Sequence, residues 1–332
     1  MITTLQSPPS SGLTNAPHAP GESSAASCFP LPWPLLSASA TSIEGRPPAM
    51  NQRNALWAIH IGALLFGLSG IFGKLANTTP QMISAGRALF AVAALLLFAK
   101  LLGNVRLVRL GLRQTSLLAL GGLLLGGHWW SFFEAVQISG VAIATLGFAS
   151  FPAFTVLLEG LLFRERTRAM EYAMVALVCV GLVMVTPAFD LSSQATSGLL
   201  WAVLSGLLFA LLSLLNRAST RGVEPVQAAL YQNVAVLLVF TPLAWPTLPS
   251  VQAQDWLWMA MLGIFCTGLA HSLFVASLRV LKARTAAVIF ALEPIYGISF
   301  AWLLFSEVPT LRMLAGGLLI VSAIFLSART AK

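Results

Sequence analysis

Charge is what this sequence has least of. Only 9% of its 332 residues are Asp, Glu, Lys or Arg, against about 25% in soluble domains. Too few are available to cover a water-facing globule of this size. Cysteine is scarce as well: Cys28, Cys179 and Cys266 stand far apart with no CxxC spacing, which gives neither a disulfide framework nor a zinc site. Cys179 and Cys266 read as small packing residues. Catalytic signatures are missing. No HExxH, paired-Asp motif, nucleophile elbow or glycine-rich phosphate loop occurs, so no enzyme, ATP-driven machine, cofactor or metal is expected.

What is present is apolar. Hydrophobic residues make up 57% of the chain, and runs of bilayer-spanning length, about 20 residues, recur along it. They lie near 55–77, 81–102, 115–137, 140–162, 168–187, 197–216, 225–246, 255–278, 283–305 and 308–328. Ten runs with short connections predict an all-α integral membrane protein of ten transmembrane helices. The net charge of +8 sorts by face: of the 19 Lys and Arg, all but Lys74, Arg312 and Arg87 fall on the side that carries both termini. By the positive-inside rule that side is cytoplasmic. The basic balance therefore belongs to a membrane surface and not to nucleic acid. A multi-pass membrane protein with both termini cytoplasmic is expected.

Residues 1–49 differ from the rest and hold half of the chain's 18 prolines. Without a basic n-region, the oily stretch CFPLPWPLLSASA makes a poor signal peptide. The segment reads as a disordered cytoplasmic tail, or as sequence upstream of a start at Met50.

The spans repeat. At an offset of 142, Gly121 meets Gly263, Gly126 meets Gly268, Pro152 meets Pro294 and Glu165 meets Glu307. At an offset of 144, Trp57 meets Trp201 and Gly62 meets Gly206. Coincidences of Leu and Ala are cheap, whereas Gly, Pro and Glu in order at one offset are not. Two units follow, at 55–187 and 197–328, each with five spans. An odd number inserts the second unit upside down, which is the inverted-repeat architecture of secondary transporters.

The runs ATLGFASFPAFTVLLEGLLFRERTRAMEYAMVALVCVGLVMV and ARTAAVIFALEPIYGISFAWLLFSEVPTLRMLAGGLLIVSAIFL resemble the EamA-type repeat of the drug/metabolite transporter superfamily. They share its mid-helix proline, acidic helix exit and Gly-containing last helix. The resemblance implies a ten-helix carrier of the cell inner (plasma) membrane, often an exporter of amino acids, related metabolites or toxic compounds. At one place the halves part: Phe151 stands where Glu293 stands.

Candidate site residues are those that are expensive in lipid. Glu293 lies about 15 Å into its span, where a carboxylate is costly unless paired, hydrated or protonated. Such a group suits proton exchange or an ammonium ligand; a protonated acid bonded to a neighbouring helix is the structural alternative. Pro294 beside it, and Pro152 in the other half, each deprive a carbonyl of its helical partner and are expected to act as hinges or cavity walls, or else to shape packing. Arg87 either snorkels to the interface or faces a cavity, where it pairs with Glu293 or holds a substrate carboxylate. Tyr231, Gln232 and Asn233 form a polar cluster opposite it. His128, Trp129, His271 and Tyr296 complete the set, with the nearby aromatics lining a pocket or facing lipid. Glu165 and Glu307 are expected to cap the helices that follow them. Ala323 and Ser327 permit close contact of the last span, leaving monomer or homodimer open.

The expected function is a proton- or gradient-coupled carrier of small amphipathic metabolites, with export implied by the resemblance. A channel, a sensor or an intramembrane acid–base enzyme is the competing reading.

Overall fold

The computed structural model describes residues 51–102, 108–162, 169–186, 190, 193–219, 223–278, 280–281, 289 and 292–330. The tail 1–49, Glu165, and Phe290 ahead of Pro294 lie outside these residues. The described residues are helical, with no strand among them. In chain order the helices are α1 (Gln52–Leu75), α2 (Pro80–Leu102), α3 (Leu112–Phe148), α4 (Phe151–Leu162), α5 (Ala169–Val185) and α6 (Gln194–Ser219). Then come α7 (Pro225–Ala244), a 3-10 segment (Trp245–Ser250), α8 (Ala253–Gly263), a π segment (Ile264–Leu269), α9 (Ala270–Leu278), α10 (Glu293–Phe305) and α11 (Leu311–Thr330).

Local chemistry sets the helix starts. Asn51 accepts a hydrogen bond from the Asn54 amide at 2.8 Å and caps α1. Proline opens α2 and α7, where its fixed φ suits the first turn and its missing N–H is not needed. Gln252 and Asp255 form a capping box for α8.

Six stretches are long and apolar enough to cross a membrane: Gln52–Leu75, Pro80–Lys100, Leu112–Phe148, Gln194–Asn216, Pro225–Ser250 and Ala253–Phe274. Helices α4 and α5 and the stretch Leu311–Leu326 are shorter and apolar. Exposed Leu97, Leu161, Val183, Leu238, Leu303 and Leu318 present hydrocarbon on the outer surface, as a lipid-facing wall requires.

The path of the chain departs from the expected spans at three points. Helix α3 carries the third run directly into the fourth, turning at Gly140 with φ 84° and ψ 170°. The fourth run then breaks at Ala149–Ser150, and Pro152 stands second in α4. Pro294 likewise stands second in α10. Neither proline bends the middle of a continuous helix; each sits in a first turn, the position its backbone tolerates. The eighth run is interrupted by the π segment.

Packing is reciprocal between the two halves. Helix α6 lies against α3 and α4, while α1 lies against α8, α9 and α10. Helices α2 and α7 pack on each other, and α2 also meets α8 as α7 meets α3. Helix α11 pairs with α5. Ala323 is spent on this contact, packed with Ala153, Met174 and Val178, so it serves a neighbour within the chain.

At one end of the bundle three segments are fastened together. Lys74, in the last turn of α1, forms an ion pair with Glu307 just beyond α10. Lys74 also lies 4.8 Å from the centroid of the Phe305 ring. Glu307 Oε2 accepts from the amides of Val141 at 3.0 Å and Ala142 at 3.4 Å. The expected cap on the following helix is thus corrected: Glu307 caps the helical turn that restarts after Gly140, in the other half. Ser306, in the left-handed region at φ 56°, turns the chain so that the carboxylate points back. Gly140 is required on two counts. Its φ is open to glycine alone at little cost, and a Cβ there would stand 2.9 Å from both Glu307 oxygens.

Candidate substrate cavity

A central cavity offers about 140 Å³ to the centres of water molecules. Its walls come from both halves: α1 to α4 on one side of the repeat, and α6, α7, the π segment, α9 and α10 on the other. Helices α5 and α11 contribute no lining residue. Arg87, His128, Trp129, Gln232, Asn233, His271 and Glu293 all line it, so most of the expensive residues picked from sequence meet in one place.

Arg87 does not snorkel. Its side chain is 5% exposed, with the guanidinium carbon 4.1 Å from the centroid of the Trp129 ring. This cation–π contact is worth about 0.5–2 kcal/mol. Nε donates to Thr267 Oγ1 at 2.9 Å, and that hydroxyl donates to the Leu262 carbonyl at 3.0 Å. The π segment makes this five-residue reach and turns Thr267 toward Arg87. Residues Thr267 and Cys266, unseen as site residues in sequence, thereby reach the cavity.

Glu293 opens α10, where its charge complements the helix dipole. Its carboxylate makes no hydrogen bond and no ion pair among the described residues. Arg87 acts on it through space, yet no direct ion pair joins the two. Gly67 of α1 lets this helix start come close, since a Cβ there would stand 2.9 Å from the Glu293 carbonyl oxygen.

His128 is held in a defined tautomer. Nδ1 lies 3.2 Å from the Ser205 carbonyl oxygen, which can only accept, and 2.7 Å from Ser205 Oγ, whose O–H donates to the His128 carbonyl at 3.1 Å. Nδ1 is the donor and Nε2 the acceptor. Around this ring Phe148 and Phe209 stand at 5.0 Å each and Phe132 at 6.4 Å. Phe151 closes the group, 5.3 Å from Phe148 and 5.2 Å from Phe209. The cavity is thus polarised. At the repeat position where one half carries Glu293, the other carries Phe151 within an aromatic box.

Gln232 donates to Asn216 Oδ1 at 2.6 Å. Asn233 donates to the Ala229 carbonyl at 2.9 Å, while its buried Oδ1 has no partner among the described residues. Four candidates miss the cavity: Pro152 and Pro294 are not in its lining, nor are two tyrosines. Tyr231 packs instead with Leu118, Val223 and Ala228, and Tyr296 meets His60 across a 3.4 Å contact from its hydroxyl to Nδ1. Successive residues of a helix point about 100° apart, so Tyr231 cannot share the direction of both Gln232 and Asn233. Of the third-span aromatics, Trp129 and Phe132 line the cavity, whereas Phe133 is fully buried in the core and Trp130 packs on Trp201.

The profile of the EamA-like transporter family matches the chain twice, over residues 53–186 and 196–329. The chain belongs to the EamA-like transporter family. An uncharacterized transporter of Archaeoglobus fulgidus is 25% identical over 82% of this chain and 95% of its own length. The pseudopaline exporter CntI of Pseudomonas aeruginosa is 27% identical over 82% of this chain and 97% of its own. The uncharacterized transporter YxxF of Bacillus subtilis is 22% identical over 70% of this chain and 76% of its own. In fold, the chain is similar to a solved crystal structure at TM-score 0.62 and 18% identity, covering 84% of this chain and 97% of the other.

Proposed function

We propose that this protein is a secondary active transporter that exports small amphipathic metabolites, such as amino acids, related compounds or toxic compounds, across the inner membrane. It works by alternating access and couples export to protons. Two inverted five-helix repeats, at 55–187 and 197–328, rock about the central cavity, with Pro152 and Pro294 at the hinges and both termini cytoplasmic. The observation that carries this reading is Glu293, a carboxylate with no hydrogen-bond or ion-pair partner among the described residues, lining a cavity built by both halves. Reciprocal packing of α1 and α6 on the opposite halves supports alternation, because tilting one set of helices opens one mouth as it closes the other.

The depth of the lining residues supports a cytoplasm-facing state. Leu95, Leu212, Asn216, Ala229 and Phe274 sit toward the ends of α2, α6, α7 and α9 that share one face. Hydrogen bonds of 3.2 and 2.6 Å between Gln227 and the Val108 backbone mark that face. The opposite face is fastened by Lys74 and Glu307. Export by a relative, the pseudopaline exporter, supports the direction.

Cells expressing wild type or Glu293→Gln, at matched membrane levels, test this across a panel of inhibitory amino acids, analogues and cationic drugs. Wild type should lower intracellular accumulation of one class and the variant should not. Equal protection by both would make Glu293 structural.

A further inference from the structure

Arg87 is a buried cation with most of its hydrogen-bonding capacity unused. A guanidinium has five N–H donors. Nε spends one on Thr267, and Nη1 and Nη2, which carry the other four, have no acceptor among the described residues. Arg87 lines a cavity that admits water, and neither Nη is among the buried atoms without a partner, so both nitrogens open on the cavity, where an acceptor from outside the chain can reach them. Glu293 lines the same cavity, and no ion pair forms between them. The Trp129 face and the Thr267 hydroxyl fix the plane of the guanidinium, and a fixed fork of this shape matches a carboxylate through two parallel N–H···O bonds.

We propose that Arg87 is the carboxylate receptor of the cavity, and that the cavity selects substrates bearing a carboxylate beside an apolar group. Among the described residues no other Arg and no Lys lines the cavity; a single cation points to a monoanion and disfavours phosphate and sulfate dianions, whose recognition draws on clustered cations. The apolar part of the ligand belongs in the box of Phe132, Phe148, Phe151 and Phe209, where the ring centroids of Phe148 and Phe209 are 5.5 Å apart. The inference rests on the transporter reading for the crossing step and is independent of it for binding.

The experiment is equilibrium binding to the purified full chain in detergent, with ligands matched in their apolar part. One set is L-phenylalanine, 3-phenylpropionate and phenethylamine; the other is L-leucine, 4-methylpentanoate and isoamylamine. Wild type should bind the carboxylate-bearing members at least about tenfold more tightly than the amines, the margin that one charge-assisted contact supports. Arg87→Gln should erase that preference, and Arg87→Lys should restore part of it. Amines binding as tightly as carboxylates in wild type would overturn the assignment, as would no binding by any member. A preference surviving in Arg87→Gln would overturn it too. The wild-type ranking decides the matter if the variants do not fold. Counterflow in proteoliposomes separates the two readings: the expected ranking without counterflow keeps Arg87 as receptor and removes the transporter.

Discussion

Glu293 and Glu307 stand at the two ends of α10, and their surroundings could hardly differ more. Glu307 is satisfied on every side: it pairs with Lys74 and accepts from the amides of Val141 and Ala142. Glu293 lines a cavity with no partner for its carboxylate among the described residues. A carboxylate that closes its own account of hydrogen bonds holds segments together. One left open at membrane depth is available to a proton or a ligand. The repeat sharpens the contrast. The counterpart of Glu293 in the first half is Phe151, so chemical availability is confined to one half, and the acidic helix exits belong to both.

Substitutions at the two ends should therefore fail in different ways. Glu293→Gln should produce the largest functional loss, removing gradient-driven transport, while midpoint temperatures of the detergent-solubilised protein stay near wild type. Gly140→Ala should be the most destabilising change, because a side chain at this φ costs about 1–3 kcal/mol and its Cβ meets Glu307 at 2.9 Å. Thermal unfolding reads it as a clear fall in Tm. Glu307→Gln should cost less, about 1–2 kcal/mol, through the lost ion pair and weakened amide contacts. It should leave ligand selectivity unchanged in the same binding assay. Lys74→Gln should cost about 0.5 kcal/mol, because its side chain is 33% exposed and water screens the pair, while both amide contacts to Glu307 remain. Smallest of all, Tyr231→Phe should move neither Tm nor ligand binding, since Tyr231 packs away from the cavity.

Much of the site was legible in the sequence because polar residues in apolar runs are costly and so stand out. Arg87, His128, Gln232, Asn233, His271 and Glu293 were visible on that ground, and all line the cavity. Phe148, Phe151 and Phe209 were not picked as site residues, since a phenylalanine in an oily run is no rarer at a cavity than at a lipid-facing wall. Thr267 was hidden for another reason: its role depends on a π segment that composition does not announce. Tyr231 and Tyr296 lie outside the cavity lining, since neighbours along a helix are not neighbours in direction. In the fold, offset matches of Gly, Pro and Glu announced the two repeats that the family profile matches. Where the chain would break was not evident. Proline marked the right turn of α4 and α10, but as the start of a helix and not as a bend within one.

On the function proposed above, the open carboxylate of Glu293 couples proton movement to substrate movement. The most direct test of this coupling uses proteoliposomes holding wild type or Glu293→Gln, loaded with a ligand that the binding assay has identified. Substrate exchange is measured at equal pH on both sides, and accumulation is measured under an imposed pH gradient. Wild type should show both. Glu293→Gln should keep exchange and lose gradient-driven accumulation, with a rate that no longer responds to pH. A variant that still accumulates substrate against its gradient as wild type does would contradict the claim.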